Sequence, residues 1–156
     1  MSKDRSKIAK QNKRKGKYFE DKIVKILRQH FPQYSSNEFS RTPFSKTFTP
    51  MNQKGDLILP EGFFTDYIEC KYRLEIHWDN DIVFGLNGEP LKWVQRCIED
   101  CDSNKWMLVF QAKGKSMYCI TPLKINVKKF EIMLDKHKLF CYNFEEAVKI
   151  ISKKEG

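Results

Sequence analysis

An acid sits inside a run otherwise suited to burial, Tyr67-Ile68-Glu69-Cys70-Lys71, and a second acid opens the run before it, Gly55-Asp56-Leu57-Ile58-Leu59. Leu57 to Leu59 and Tyr67 to Cys70 are short, aliphatic and aromatic, which predicts two β-strands. The link from Pro60 to Asp66 is turn-like and short enough to close them as a hairpin. Side chains alternate along a strand, so Glu69 and Lys71 project from the same face. A hairpin that lays Asp56 alongside gives one face two carboxylates and an ammonium. Carboxylate oxygens are hard ligands suited to Mg²⁺ or Mn²⁺, and a lysine beside them can serve an attacking water or stabilise developing charge. Each residue also has a plainer reading. Asp56 after Gly55 is equally a turn acid, and Glu69 and Lys71 are equally a solvated sheet face. What favours a site is the apolar start of the strand that carries Glu69.

Upstream, Phe19 to Phe31 has helical periodicity, with Phe19, Ile23, Val24, Ile26, Leu27 and Phe31 forming an apolar stripe. Glu20 shares the flank of Ile23, Val24 and Leu27. An ionised carboxylate there is costly unless something pairs with it, either a cation or its water, or a lysine such as Lys17. Downstream, a helix is expected near Glu89 to Cys101, then a hairpin of Trp106 to Phe110 and Met117 to Ile120. A last amphipathic helix spans Phe144 to Lys153. The elements predict an α/β fold, a small mixed central β-sheet flanked by helices.

Arg14-Lys15-Gly16 followed by Glu20, then Ser40-Arg41 followed by Ser45, Asp56-Leu57-Ile58, and Ile68-Glu69-Cys70-Lys71 occur in that order. In this order the chain resembles the archaeal-type Holliday junction resolvases of the PD-(D/E)xK nuclease superfamily. The likeness covers roughly Lys13 to Lys124. It implies a restriction-endonuclease-like core and a Mg²⁺-dependent endodeoxyribonuclease, with Mn²⁺ as a substitute, that resolves four-way junctions. By position it implies Asp56, Glu69 and the Cys70 carbonyl as metal ligands, Lys71 on the attacking water, and Glu20 on the metal or its water. Arg14, Lys15, Lys17 and Arg41 would contact DNA, with Ser45 near the scissile strand. Where the family often has a glutamine, the chain has Lys92, with Gln95 a turn on. Arg73 to Pro90, which carries Glu75, His77, Asp79 and Asp81, reads as an insertion. Restriction-type or repair-type nucleases of the same superfamily and a non-catalytic basic nucleic-acid-binding module are the competing readings.

At 156 residues and a formal charge of +9, the chain is one domain with a polyanionic partner, most simply DNA. Lys3, Arg5, Lys7, Lys10, Lys13, Arg14, Lys15 and Lys17 face a single acid, Asp4, so residues 1–17 read as a basic arm before a nuclease domain over 18–156. Such a run is either a solvated tail or a grip on phosphates. No stretch is apolar enough for a membrane span or a signal peptide. Cys70, Cys97, Cys101, Cys119 and Cys141 lack CxxC spacing, which points away from zinc and disulfides and toward a reduced, intracellular protein; a soluble chain with no small-molecule cofactor is expected. Phe39, Phe44 and Phe48 interrupt a polar stretch over Pro32 to Lys54, either packing on the sheet or stacking on unpaired bases. A homodimer is expected, because two opposed cuts in a near two-fold junction need two sites. Trp93 and Ile98 on the second helix are the candidate interface.

Overall fold

The computed structural model describes residues 2–42, 55–76 and 88–155. Helix α1 runs from Ser2 to His30 and ends just before Pro32, which cannot continue it. The basic segment and the apolar stripe therefore lie on one continuous helix. Strands β1 (Ser40–Arg41) and β2 (Leu57–Ile58) form a two-stranded antiparallel ribbon. Strand β3 (Tyr67–Arg73), helix α2 (Gly88–Asp100) and strand β4 (Trp106–Ala112) follow. Strands β5 (Tyr118–Thr121), β6 (Lys129–Leu134) and β7 (His137–Asn143) lead into the final helix, α3 (Phe144–Glu155).

The main sheet has the order β3-β4-β5-β7-β6. β3 and β4 are parallel, Glu69 opposite Leu108 and Lys71 opposite Phe110. A parallel pair needs a crossover, and α2 lies within it. The other pairings are antiparallel. β4 has core on both faces, so it is apolar at almost every position rather than alternating. Ile68, Cys70, Met107 and Val109 face a core completed by Phe19, Ile23 and Leu27 of α1, by Phe31 just after it, and by Phe144, Ala147 and Val148 of α3. Tyr67, Leu108 and Phe110 face the other core, completed by Trp93, Val94 and Cys97 of α2. The fold is a five-stranded mixed sheet with helices on both faces, the expected α/β class.

Several expectations change. β2 pairs with β1 and not with β3, so Gly55 to Cys70 is not a simple hairpin. Pro60 to Asp66 instead carries Phe63, which stacks edge-on against Phe31 and Phe39 at 4.9 and 5.2 Å and draws the chain onto α1. Phe39 is therefore a core residue, while Phe44, Phe48, His77, Asp79 and Asp81 lie outside the described residues. Trp93 is buried within the chain, which removes it as an interface residue. The hairpin of β6 and β7 was not expected at all. Its two-residue turn places Asp135 at φ 53°, a left-handed position that aspartate tolerates better than most residues.

Candidate active site

The free edge of β3 organises the site. β4 occupies one side of this strand, and the polar groups of Ile68 and Cys70 serve the other. The Asp56 amide donates to the Ile68 carbonyl at 2.9 Å, and the Cys70 amide donates to Asp56 Oδ2 at 2.7 Å. The amide and carbonyl of one strand residue leave on the same edge, so the Cys70 carbonyl is on the side that Asp56 occupies. Asp56 thus lies against the strand edge through its own backbone and carboxylate, without a regular hairpin.

Gly55 makes that approach possible. Its φ is +91°, and a Cβ there would stand 2.9 Å from the Ile68 carbonyl oxygen. The obstruction is backbone and cannot swing aside. The Thr42 hydroxyl holds the Gly55 carbonyl at 2.9 Å, and the Thr42 amide holds the Asp56 carbonyl at the same distance. Gly55→Ala should cost about 1–3 kcal/mol in stability from backbone strain alone. It should also lower activity by displacing Asp56. Thermal melting and turnover measured together check this: a variant as stable and as active as the wild type would show that the close approach is dispensable.

Glu69 and Lys71 share a face, as strand alternation requires. Glu69 is only 6 % exposed. It accepts a hydrogen bond from the Tyr67 hydroxyl at 3.1 Å and pairs with Lys71 Nζ at 3.2 Å. Tyr67, Glu69 and Lys71 thus form a ladder along β3. Burial and the neighbouring Glu69 carboxylate push the Tyr67 hydroxyl up, so it stays a donor.

Glu20, half-buried on α1, reaches the same place from the other face. Burial first, and then repulsion from Asp56, raises its pKa from 4.5 to about 7, against the opposing pull of Arg41. Asp56 rises from 3.8 to about 6 through burial and the Glu69 charge, opposed by the Cys70 amide, Lys71 and Arg96. Arg41 Nη1 lies 3.7 Å from Glu20, and its Nε lies 2.7 Å from Asp21. Arg41 is thus engaged with carboxylates at the rim of the acidic group.

A cleft of about 680 Å³ opens over these residues, lined by Lys15, Gly16, Glu20, Asp56, Cys70, Lys71, Tyr72 and Arg73 among others. Of the residues expected in the site, Glu20, Asp56, Cys70, Lys71 and Lys15 line this one cleft. Glu69 lies beneath, bonded to Lys71. Arg14 and Lys17 are exposed on α1. Lys92 and Gln95 are exposed on α2 and are not among the residues lining the cleft. Ser45 lies outside the described residues. Arg96, which sequence reasoning missed, is the basic residue of α2 whose field reaches Glu69 and Asp56: the Glu69 charge holds its guanidinium above its ordinary pKa. It falls one position past Gln95, and only the helical phase of α2 against β3 distinguishes the two. Cys70, Cys97, Cys119 and Cys141 are buried core thiols, and Cys101 is partly buried. Burial pushes Cys70, Cys97 and Cys119 well up, and Cys141 to about 12.

The donor chemistry fits a hard divalent cation. Two carboxylates with raised pKa values repel each other in a partly desolvated cleft, and a backbone carbonyl shares their edge. Among the described residues, no group of three or more His, Cys, Asp or Glu side chains is placed to encage a metal by itself. Mg²⁺ keeps several waters and needs only one or two carboxylates.

A family model for the phage putative PDDEXK endonucleases matches residues 11–154. The chain belongs to this family. It spans most of the sequence, from within α1 to the last turns of α3. The name of the PD-(D/E)xK endonucleases gives an aspartate followed downstream by Glu-x-Lys, and Asp56 with Glu69-Cys70-Lys71 supplies that order. Where the name has proline before the aspartate, this member has Gly55, at the position where a Cβ would strike the Ile68 carbonyl. No curated protein and no solved structure matches the chain. Endonucleases of this kind act on DNA and typically use a divalent metal. No described helix is long and apolar enough to cross a membrane.

Proposed function

We propose that this PD-(D/E)xK endonuclease cuts branched DNA, resolving four-way junctions by Mg²⁺-dependent phosphodiester hydrolysis, and works as a homodimer. The observation that carries the reading is the convergence of Glu20, Asp56, Cys70 and Lys71 with Lys15 in one cleft. Binding of DNA alone does not call for buried acids facing phosphate. The junction assignment draws on the order of Arg14-Lys15-Gly16, Glu20, Ser40-Arg41, Asp56 and Glu69-Cys70-Lys71, which resembles the archaeal-type resolvases.

In this mechanism Asp56, Glu69 and the Cys70 carbonyl would hold the cation, and Glu20 would complete its shell or hold its water. The cation so held would supply charge that offsets the phosphate and would make a bound water more acidic. Lys71, tied to Glu69 at 3.2 Å, would as an ammonium donate to and orient the attacking water and stabilise the negative charge that develops there. Arg14, Lys15 and Lys17 on α1 grip the backbone on one side of the scissile phosphate. Arg41 and Arg96 add positive charge at the rim. Such contacts position DNA without reading sequence. Two copies related by a two-fold axis present two sites to the two opposed strands of a junction.

The test is cleavage of a labelled four-way junction, a flap and a matched duplex, with Mg²⁺ or EDTA. Paired, symmetric nicks in the junction alone are the expected result. Equal cutting of duplex would overturn junction selectivity and leave the endonuclease. Tight binding without cutting under Mg²⁺ or Mn²⁺ would sink the catalytic reading.

A further inference from the structure

Beside the catalytic cleft lies a second, open pocket of about 290 Å³, lined by Lys15, Tyr18, Phe19, Lys22, Tyr72 and Gln111 together with Gly114. Four of these are at positions 15, 18, 19 and 22 of α1, the i, i+3, i+4, i+7 spacing that puts them on one helical face. The outermost, Tyr18, is 75 % exposed, and among the described residues its ring packs on no other. Burial therefore gives no reason for an aromatic there. Phe19 and Tyr72, by contrast, hold each other at 5.7 Å and are fixed in the core side of the pocket. The two cavities share Lys15 and Tyr72. Tyr72 follows Cys70 by two residues on the same face of β3, about 6.6 Å along the strand. That is the reach of one nucleotide from a phosphate held at the Cys70 edge.

We infer that this pocket receives an unstacked nucleobase adjacent to the scissile phosphate, with Tyr18 stacking on the base and Lys15 and Lys22 on its flanking phosphates. Every base has a π-face, so stacking on an exposed aromatic tolerates any sequence, and flanking ammonium groups supply the backbone contact. A paired base inside a duplex cannot enter. The pocket would therefore favour DNA that offers an unpaired or readily unstacked base beside the cut, as the arms meeting at a branch point do, over continuous duplex. The inference rests on the cleft being the phosphodiester site.

The experiment is done in EDTA, so that it reads binding and not cutting. A forked DNA with 2-aminopurine at the first unpaired position, and a matched duplex, are titrated by fluorescence with wild type, Tyr18→Ala and Tyr18→Phe. The wild type should change 2-aminopurine emission on the fork. Tyr18→Ala should lose that change and bind the fork roughly 5- to 160-fold more weakly, the span that one base–aromatic stack covers. Duplex binding should hardly move, and Tyr18→Phe should behave as the wild type. Tyr18 is exposed, so its truncation leaves the core intact. Unchanged emission and affinity in Tyr18→Ala, or equal loss on fork and duplex, would overturn the inference. A separate Mg²⁺ cleavage assay on a four-way junction keeps the two claims apart: junction cutting with no 2-aminopurine response on the fork overturns the pocket alone, and a response with no cutting of the junction supports the pocket while overturning the nuclease reading.

Discussion

Asp56→Asn should abolish cleavage and, in the absence of metal, make the protein more stable. The first effect should exceed about 10²-fold, since even residues that only orient a metal ligand are worth 10- to 100-fold. The second follows from the cleft's electrostatics. The folded-state pKa of Asp56 is about 6 against an ordinary 3.8, so between those values the folded protein holds the proton more tightly than the unfolded chain. Stability from this group is complete below pH 3.8 and is lost as pH rises through about 6. Two units correspond to at most about 3 kcal/mol, less where water reaches the carboxylate. Glu20, raised from 4.5 to about 7, extends the loss in the same direction toward neutrality. Asparagine keeps an oxygen for the Cys70 amide and carries no charge. The melting temperatures of wild type and variant in EDTA should therefore converge near pH 4 and separate by on the order of 5 °C at pH 7. Adding Mg²⁺ should close the gap by stabilising the wild type alone. A variant less stable than the wild type across pH 5–8 would show that Asp56 serves the fold and not a cation.

The site was legible where local chemistry wrote it. Glu69 stood out as an acid among Tyr67, Ile68 and Cys70, and the structure buries it almost completely. Glu20 was found by phase, an acid on the flank of an apolar helical stripe, and it lies half-buried beside Asp56. The link between Asp56 and β3 was less accessible. A hairpin would lay Asp56 alongside Glu69, but β2 pairs with β1, and Asp56 reaches β3 by two hydrogen bonds and a glycine without room for a Cβ. That closeness is tertiary, and only Gly55 marks it in the sequence. Arg96 was missed for a similar reason. Lys92, Gln95 and Arg96 are all polar positions of one helix, and which of them faces Glu69 depends on how Trp93, Val94 and Cys97 seat α2 on the sheet. Lys129 to Asn143 escaped notice because its charged residues interrupt the alternation. Ile132 and Leu139 are buried within it, whereas Phe130 and Met133 are exposed on the edge strand β6.

Lys71→Met should also all but abolish cleavage, by about 10² to 10³-fold for a group that stabilises charge developing at the reacting centre, but with the opposite effect on stability. Lys71 is the cation 3.2 Å from Glu69, whose side chain has almost no access to water. Removing one partner of a buried pair strands the other, at 3–5 kcal/mol when both are fully enclosed. Here the lysine is itself one-fifth exposed, and the Tyr67 hydroxyl and the field of Arg96 remain, so about 2 kcal/mol is expected. Adding Glu69→Gln should then recover most of that loss, because a neutral amide no longer needs the ammonium, while cleavage stays lost. Denaturant unfolding of the two single variants and the double variant measures the coupling directly. Two inactive variants that move stability in opposite directions separate the roles. Asp56 is a charge the apo fold bears at a cost and a cation relieves, whereas Lys71 is already compensated by Glu69 and needs no metal to be held. If the double variant is no more stable than Lys71→Met alone, the Glu69–Lys71 contact is incidental, and Lys71 must be oriented by the DNA instead.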